Sequence, residues 1–130
     1  MFAKGDIRYG NFRLYDGRDD VHYALVVRVF GAYGVAIVGT SQHVDEARHD
    51  RSQLVLDPAD VPTRVWESTG LSKSTRFDFR GGRIVTLGET DTRYHSELVG
   101  TVVADPAWLA TFNRMTVLSD ERIRRLIQAR

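Results

Sequence analysis

The chain has 130 residues, 42% of them hydrophobic and 27% charged, with a formal net charge of +1. That length fits one domain over residues 1–130 and leaves no room for a second core. The balanced charge excludes a partner selected by bulk charge alone, the absence of cysteine excludes disulfides and thiolate chemistry, and no stretch approaches the ~20 apolar residues of a membrane-crossing helix.

Met1-Phe2-Ala3-Lys4-Gly5-Asp6 lacks the apolar run of a signal peptide, so a cytoplasmic protein with no membrane partner is expected. Residues 6–12 alternate and are rich in aromatics, which predicts a first strand, and residues 15–20 form a polar turn. Residues 23–30 are too apolar for a half-exposed strand and predict a central one packed on both faces. Gly31-Ala32-Tyr33-Gly34 then turns the chain, so that residues 23–40 read as a hairpin whose far end delivers Thr40-Ser41-Gln42 to a rim. Residues 43–52 are polar and suit a loop or a short helix. Residues 53–56 predict a short strand closed by Asp57-Pro58, residues 63–66 another, and Gly70 the following turn.

Ser74-Thr75-Arg76-Phe77-Asp78-Phe79 reads as a strand with two different faces. Arg80-Gly81-Gly82-Arg83 is the next turn, and residues 84–87 are expected to pair back onto the Arg76/Asp78 strand, making the middle of the chain all β. After a polar passage over residues 89–97, residues 98–103 predict a last strand. Asp105-Pro106 resembles an N-cap with proline at the first helical position. Trp108, Leu109, Phe112 and Met115 recur at helical spacing, a stripe suited to covering a barrel end or a dimer seam. A second helix starts at a Ser119 cap, with Asp120 and Glu121 in its first turn and Arg124, Arg125 and Arg130 near its end, the order that complements the helix dipole. Several short strands followed by two helices predict a mainly β fold, a small and strongly bent barrel with C-terminal helices.

Chemistry concentrates on residues 74–79. Thr75, Phe77 and Phe79 point to a core, while Arg76 and Asp78 share the opposite face about 7 Å apart, a distance that a small anionic substrate bridges. The same spacing also suits a solvated surface pair worth ~0–1 kcal/mol. Gly81-Gly82 lacks the following Lys-Ser/Thr and helix of a phosphate loop. His22, His43, His49 and His95 show no compact ligand spacing, so neither a metal site nor a cofactor is expected. Thr40 and Ser41 belong to no nucleophile elbow and by themselves read as turn residues.

Lys4-Gly5-Asp6-Ile7, the turn with Asp16-Gly17, Ala24-Leu25-Val26-Val27, the Thr40-Ser41 that ends the hairpin, and Ser74-Thr75-Arg76-Phe77-Asp78 resemble, in order and spacing, the PemK/MazF/Kid family of toxins from toxin–antitoxin pairs. The resemblance implies an SH3-like barrel that forms homodimers and cleaves single-stranded RNA without a metal, arresting growth unless an antitoxin is bound. It implies no DNA partner for the chain alone. By the same resemblance Asp78 takes the proton of a ribose 2′-hydroxyl, Arg76 stabilises the developing charge, and Thr40 and Ser41 hold the phosphate. Arg18, Gln42 and Lys73 are the expected RNA contacts around them. The chain departs from the family where an Arg-Pro pair usually precedes the central strand: here His22-Tyr23 stands, which makes His22 an auxiliary proton donor or acceptor. The loop Gly17-Arg18-Asp19-Asp20 is also more acidic than is typical, and acidic groups repel RNA phosphates. The alternative is a catalytically degenerate toxin-like barrel that binds protein or RNA. A third reading is a dimerisation domain built on the Trp108 stripe.

Overall fold

The most apolar run of the sequence becomes the centre of the structure. In a computed structural model that describes residues 1–13, 19–88 and 96–128, the chain runs β1 (Asp6–Arg13), β2 (Asp19–Phe30), β3 (Tyr33–Val38), α1 (Val44–Ala47), β4 (Gln53–Leu56), α2 (Thr63–Thr69), β5 (Thr75–Asp78), β6 (Ile84–Gly88), β7 (Ser96–Thr101), α3 (Pro106–Val117) and α4 (Asp120–Gln128). Five strands form an antiparallel sheet in the order β6-β3-β2-β1-β7, and β4 pairs with β5 in a separate two-stranded ribbon. The fold is therefore mainly β. Among the described residues there is no closed barrel: β6 and β7 are the edges of the large sheet, and the ribbon meets β3's end through the bridge Thr40–Arg76.

β2 is paired on both sides and covered on both faces, so Ala24, Leu25, Val26 and Val27 are all fully buried. Alternation along the strand divides them between two cores. Leu25 and Val27 join Ile7, Ile37, Phe77, Phe79 and Phe112 in the larger core, while Ala24 and Val26 join Phe2, Phe12, Ala36 and Leu87 in a smaller one. Each fully buried phenylalanine contributes about 1.5–3 kcal/mol relative to exposure. Among the described residues no helix is long and apolar enough to cross a membrane.

Several expectations need correction. β2 begins at Asp19 rather than Tyr23, because β1 offers partners as far as Arg13, with Tyr9 opposite Tyr23 and Asn11 opposite Val21. Residues 63–66 are the start of helix α2, not a strand. The β-forming tendency of Thr63, Val65 and Trp66 is overridden by packing at helical spacing: Val61, Val65 and Thr69 are buried, and Gly70 closes the helix in the left-handed region at φ 71°. The middle of the chain is thus not all β. β6 pairs with β3 instead of β5. Both edges of β5 are already used, one by β4 and the other by Thr40, so the chain after the turn continues onto β3.

The helical end agrees with the sequence reading in most respects. Asp105 accepts a hydrogen bond from Ala107 N at 3.0 Å with Pro106 beginning α3, a cap worth about 1 kcal/mol. Phe112 is buried, and Trp108 and Met115 pack on the larger core, whereas Leu109 stays 39% exposed. Ser119 stands immediately before α4, where its backbone oxygen accepts from Ile123 N at 3.0 Å, while its hydroxyl turns back to donate to Thr116 O at 2.8 Å in α3.

The ribbon can reach β3 only because residue 39 is glycine. A Cβ there would lie 2.6 Å from the Phe77 ring and 2.8 Å from Thr75 Cγ2, both on β5 and both buried. Gly39→Ala is expected to lower the unfolding free energy by about 1–3 kcal/mol through overpacking, read as a lower denaturant midpoint with an unchanged m-value.

Candidate active site

Three strand ends meet where the ribbon crosses the sheet. Alternation on β5 buries Thr75 and Phe77 and leaves Arg76 and Asp78 half-buried on the other face. Backbone hydrogen bonds in both directions, Thr40 N to Arg76 O at 3.0 Å and Arg76 N to Thr40 O at 2.9 Å, lock β5 against the chain leaving β3. On the opposite side of that segment, Ala24 pairs with Val38 and Gly39 N donates to Tyr23 O at 2.8 Å, which brings the start of β2 beside it. His22, Thr40, Arg76 and Asp78 accordingly line one depression, closed by Gly81, Gly82 and Arg83. Four of the residues singled out from the sequence come together here.

Ser41, Gln42 and Lys73 stand elsewhere. They line a second depression with Tyr9, Val21 and Tyr23, and it shares His22, Gly39 and Thr40 with the first. The expected cluster is therefore split by the Thr40 segment into a charged side and an aromatic side. Arg18 lies outside the described residues.

The Arg76 guanidinium is gripped without being neutralised. Its Nε donates to the Gln42 backbone oxygen at 2.7 Å and its Nη1 to Gln53 Oε1 at 2.8 Å, both uncharged acceptors. A guanidinium carries five N–H donors, so these two bonds fix its plane and leave donors for an anion. Gln42 thus contributes its carbonyl to the charged side. Thr40 Oγ1 accepts from Gln42 N at 3.1 Å, the turn role anticipated for it, and keeps its own hydroxyl proton to donate.

Asp78 caps the turn that follows it. Its Oδ1 accepts from Arg80 N at 3.0 Å and from Gly81 N at 2.9 Å. A Cβ on residue 81 would approach Oδ2 to 2.8 Å, so glycine there leaves that oxygen uncrowded. Arg122 of α4 braces the same turn, donating from Nη1 to Phe79 O at 3.2 Å and from Nη2 to Gly82 O. One carboxylate oxygen is held by backbone N–H groups, and α4 braces the turn that supplies them.

Tyr9, Tyr23 and Gln53 escaped the sequence reading. Tyr9 and Tyr23 are register partners on β1 and β2 with ring centroids 4.8 Å apart, and the Tyr23 hydroxyl lies 3.0 Å from Ser72 Oγ. Tyr9 remains 42% exposed, an aromatic face beside Lys73. Their separation of fourteen positions became adjacency through pairing, which no local pattern announces. Gln53 read simply as the polar start of a strand. Among the described residues no three histidine or carboxylate side chains converge as metal ligands.

A charged network fixes the segment that carries β4. Arg48 meets Asp60 at 2.8 Å, Asp57 at 3.2 Å and also Asp45, and the hydrogen bond to Asp60 leads in holding its guanidinium above the ordinary value. The Ser74 hydroxyl, then the Ala59 N–H, hold the Asp57 carboxyl below its ordinary range, tying this segment to the start of β5. Asp50 is held down to about 2 from 3.8, first by the Ser52 hydroxyl, then by the Gln53 amide and the Ser52 N–H. Because the folded value is the lower one, this contribution to stability is present above about 3.8 and is lost as pH falls through about 2. A carboxyl 13C titration is expected to place the Asp50 midpoint near 2, and Ser52→Ala to move it upward.

No family model, curated protein or solved structure matches the chain.

Proposed function

We propose that the protein is an endoribonuclease of the PemK/MazF-like toxin type, carried on an open SH3-like arrangement of strands, that cuts single-stranded RNA by attack of a ribose 2′-hydroxyl on the adjacent phosphate. The observation that carries this reading is the convergence of His22, Thr40, Arg76 and Asp78 in one depression. The attack is intramolecular within the RNA, so the protein needs to orient and stabilise more than to supply a reagent. Asp78 Oδ2 takes the 2′-hydroxyl proton as the 2′-oxygen bonds to phosphorus. Arg76 and the Thr40 hydroxyl hold the non-bridging oxygens, where negative charge gathers in the transition state. The bond from phosphorus to the 5′-oxygen breaks and His22, as imidazolium, protonates the leaving oxygen. The products are a 2′,3′-cyclic phosphate and a free 5′-hydroxyl.

The aromatic depression supports a single-stranded substrate. An exposed Tyr9 backed by Tyr23, with Lys73 and Ser41 on its rim, offers a face on which an unpaired base stacks while the backbone passes over Thr40. In this reading the chain is cytoplasmic, works as a homodimer, and is silenced by an antitoxin that covers the same two depressions.

The Asp78 turn bonds favour one second reading. A carboxylate already engaged by two backbone N–H groups suits a structural cap, and the depression would then bind RNA or protein without cutting. One assay separates the two. Wild type incubated with mixed single-stranded RNA in EDTA is expected to give cyclic-phosphate and 5′-hydroxyl ends. Asp78→Asn retains the acceptor that caps the turn, so it should fold normally and lose cleavage. Arg76→Ala is expected to cost about 10²–10³-fold in kcat, and His22→Gln about 10²-fold or more. Uncut RNA with well-folded wild type would establish the binding reading instead.

Stacking has its own signature. Tyr9→Ala is expected to raise KM for RNA about 5- to 150-fold, from the ~1–3 kcal/mol of one stacked base, while Tyr9→Phe stays near wild type.

A further inference from the structure

We infer that Asp50 and Gln53 are positioning residues for Arg76, Asp50 selecting the orientation of the Gln53 amide and the amide in turn aiming the guanidinium. The inference rests on the reading of Arg76 as the phosphate-holding group.

A carboxamide has two ends of nearly equal shape, an oxygen that accepts and an NH2 that donates. Gln53 has one end toward Asp50 and the other toward Arg76: its Nε2 lies 3.0 Å from Asp50 Oδ2, and its Oε1 accepts from Arg76 Nη1 at 2.8 Å. An ionised carboxylate only accepts and a guanidinium only donates. Turning the amide over would set oxygen against oxygen at one end and N–H against N–H at the other. Asp50, itself fixed by Ser52, thus anchors the donor end of the amide and so presents the acceptor end to Arg76.

The relay has a fixed origin. Asp50 Oδ1 accepts from Ser52 N at 2.9 Å and from Ser52 Oγ at 2.6 Å, and Gln53 N donates to Asp50 O at 3.1 Å. The same bonds keep the Asp50 carboxyl ionised far below neutral pH. β4 brings Gln53 opposite Asp78 in register, on the face that carries Arg76, and the Gln42 carbonyl holds the guanidinium at Nε. A neutral amide is suited to this task. It orients the cation without cancelling the charge that a phosphate requires.

The test compares wild type with Asp50→Asn, Gln53→Leu, Gln53→Glu and the double variants that add Asp50→Asn to each change at 53. Two readouts are followed: 15N relaxation of the Arg76 Nε–H, and kcat and KM on single-stranded RNA. Gln53→Leu is expected to mobilise Arg76 and lower kcat/KM about tenfold, as misplacement of a catalytic group does. Asp50→Asn, which removes the carboxylate's hold on the amide and leaves only Arg76 to orient it, should act in the same direction and add nothing in the Gln53→Leu background, since both act through one path. Glutamate presents an acceptor to Arg76 in either orientation but sets a second carboxylate against Asp50, so in Gln53→Glu the Arg76 Nε–H should become more ordered when Asp50→Asn removes that repulsion, the reverse of its effect on the glutamine. An Asp50→Asn variant with wild-type Arg76 order, or an effect that persists undiminished in the Gln53→Leu background, overturns the relay while cleavage by wild type upholds the proposed activity. If wild type cuts no RNA yet Arg76 order follows the pattern described, the relay stands and the nuclease reading falls.

Discussion

The crossing of the β4–β5 ribbon over the end of β3 is the constraint on which this structure turns. It needs a residue without a side chain at position 39, because the Phe77 ring and Thr75 occupy the volume that a Cβ would take. Given that space, two backbone hydrogen bonds between Thr40 and Arg76 fasten the ribbon to the sheet. Four residues of the candidate site lie on or beside that junction. Arg76 is the residue bonded there, Asp78 lies two positions further along β5, and His22 lines the same depression as Thr40. A packing requirement of the core thus decides where polar groups converge.

The junction also governs electrostatics. Arg76 is met by a backbone carbonyl and an amide oxygen, which orient it at little cost to its charge, while the acidic side chains nearby are occupied otherwise. Asp78 is turned toward the Arg80 and Gly81 N–H groups, Asp50 toward Ser52 and Gln53, and Asp57 toward Ser74 and Arg48. Hydroxyl, amide and backbone donors thus hold the Asp50 and Asp78 carboxylates, and Asp57 adds the Arg48 guanidinium to its Ser74 hydroxyl. A cation left available in a half-buried depression is what an anionic substrate requires, and α4 contributes at a distance by bracing the Asp78 turn through Arg122.

Much of this was legible in the chain because it depends on local pattern. The continuous apolar run 23–30 announced a central strand, which is buried on both faces over residues 24–27 while Phe30 is exposed; Asp105-Pro106 announced a helix start, and the alternation of residues 74–79 separated Thr75 and Phe77 from Arg76 and Asp78. Of the residues singled out in the sequence, Thr40, Arg76 and Asp78 share one depression, whereas Ser41 lines the aromatic one. Local pattern failed where competing partners decide. Residues 63–66 have strand-forming side chains but lie against β7 as a helix, with the Ser68 hydroxyl donating to Thr101 O at 3.0 Å. β6 follows β5 through a tight turn, yet both edges of β5 are already taken.

By itself, then, the sequence determined the buried strands, the helix start and the face on which the arginine and aspartate stand, since each follows from the period of side chains along a short segment. Tertiary structure alone decided the strand partners, the division of the site at Thr40, the Tyr9–Tyr23 contact, and the line from Asp50 through Gln53 to Arg76. Those depend on register between segments distant in sequence and on which edge of a strand is free. Register and edge occupancy are properties of pairs of segments, set by how the whole chain packs.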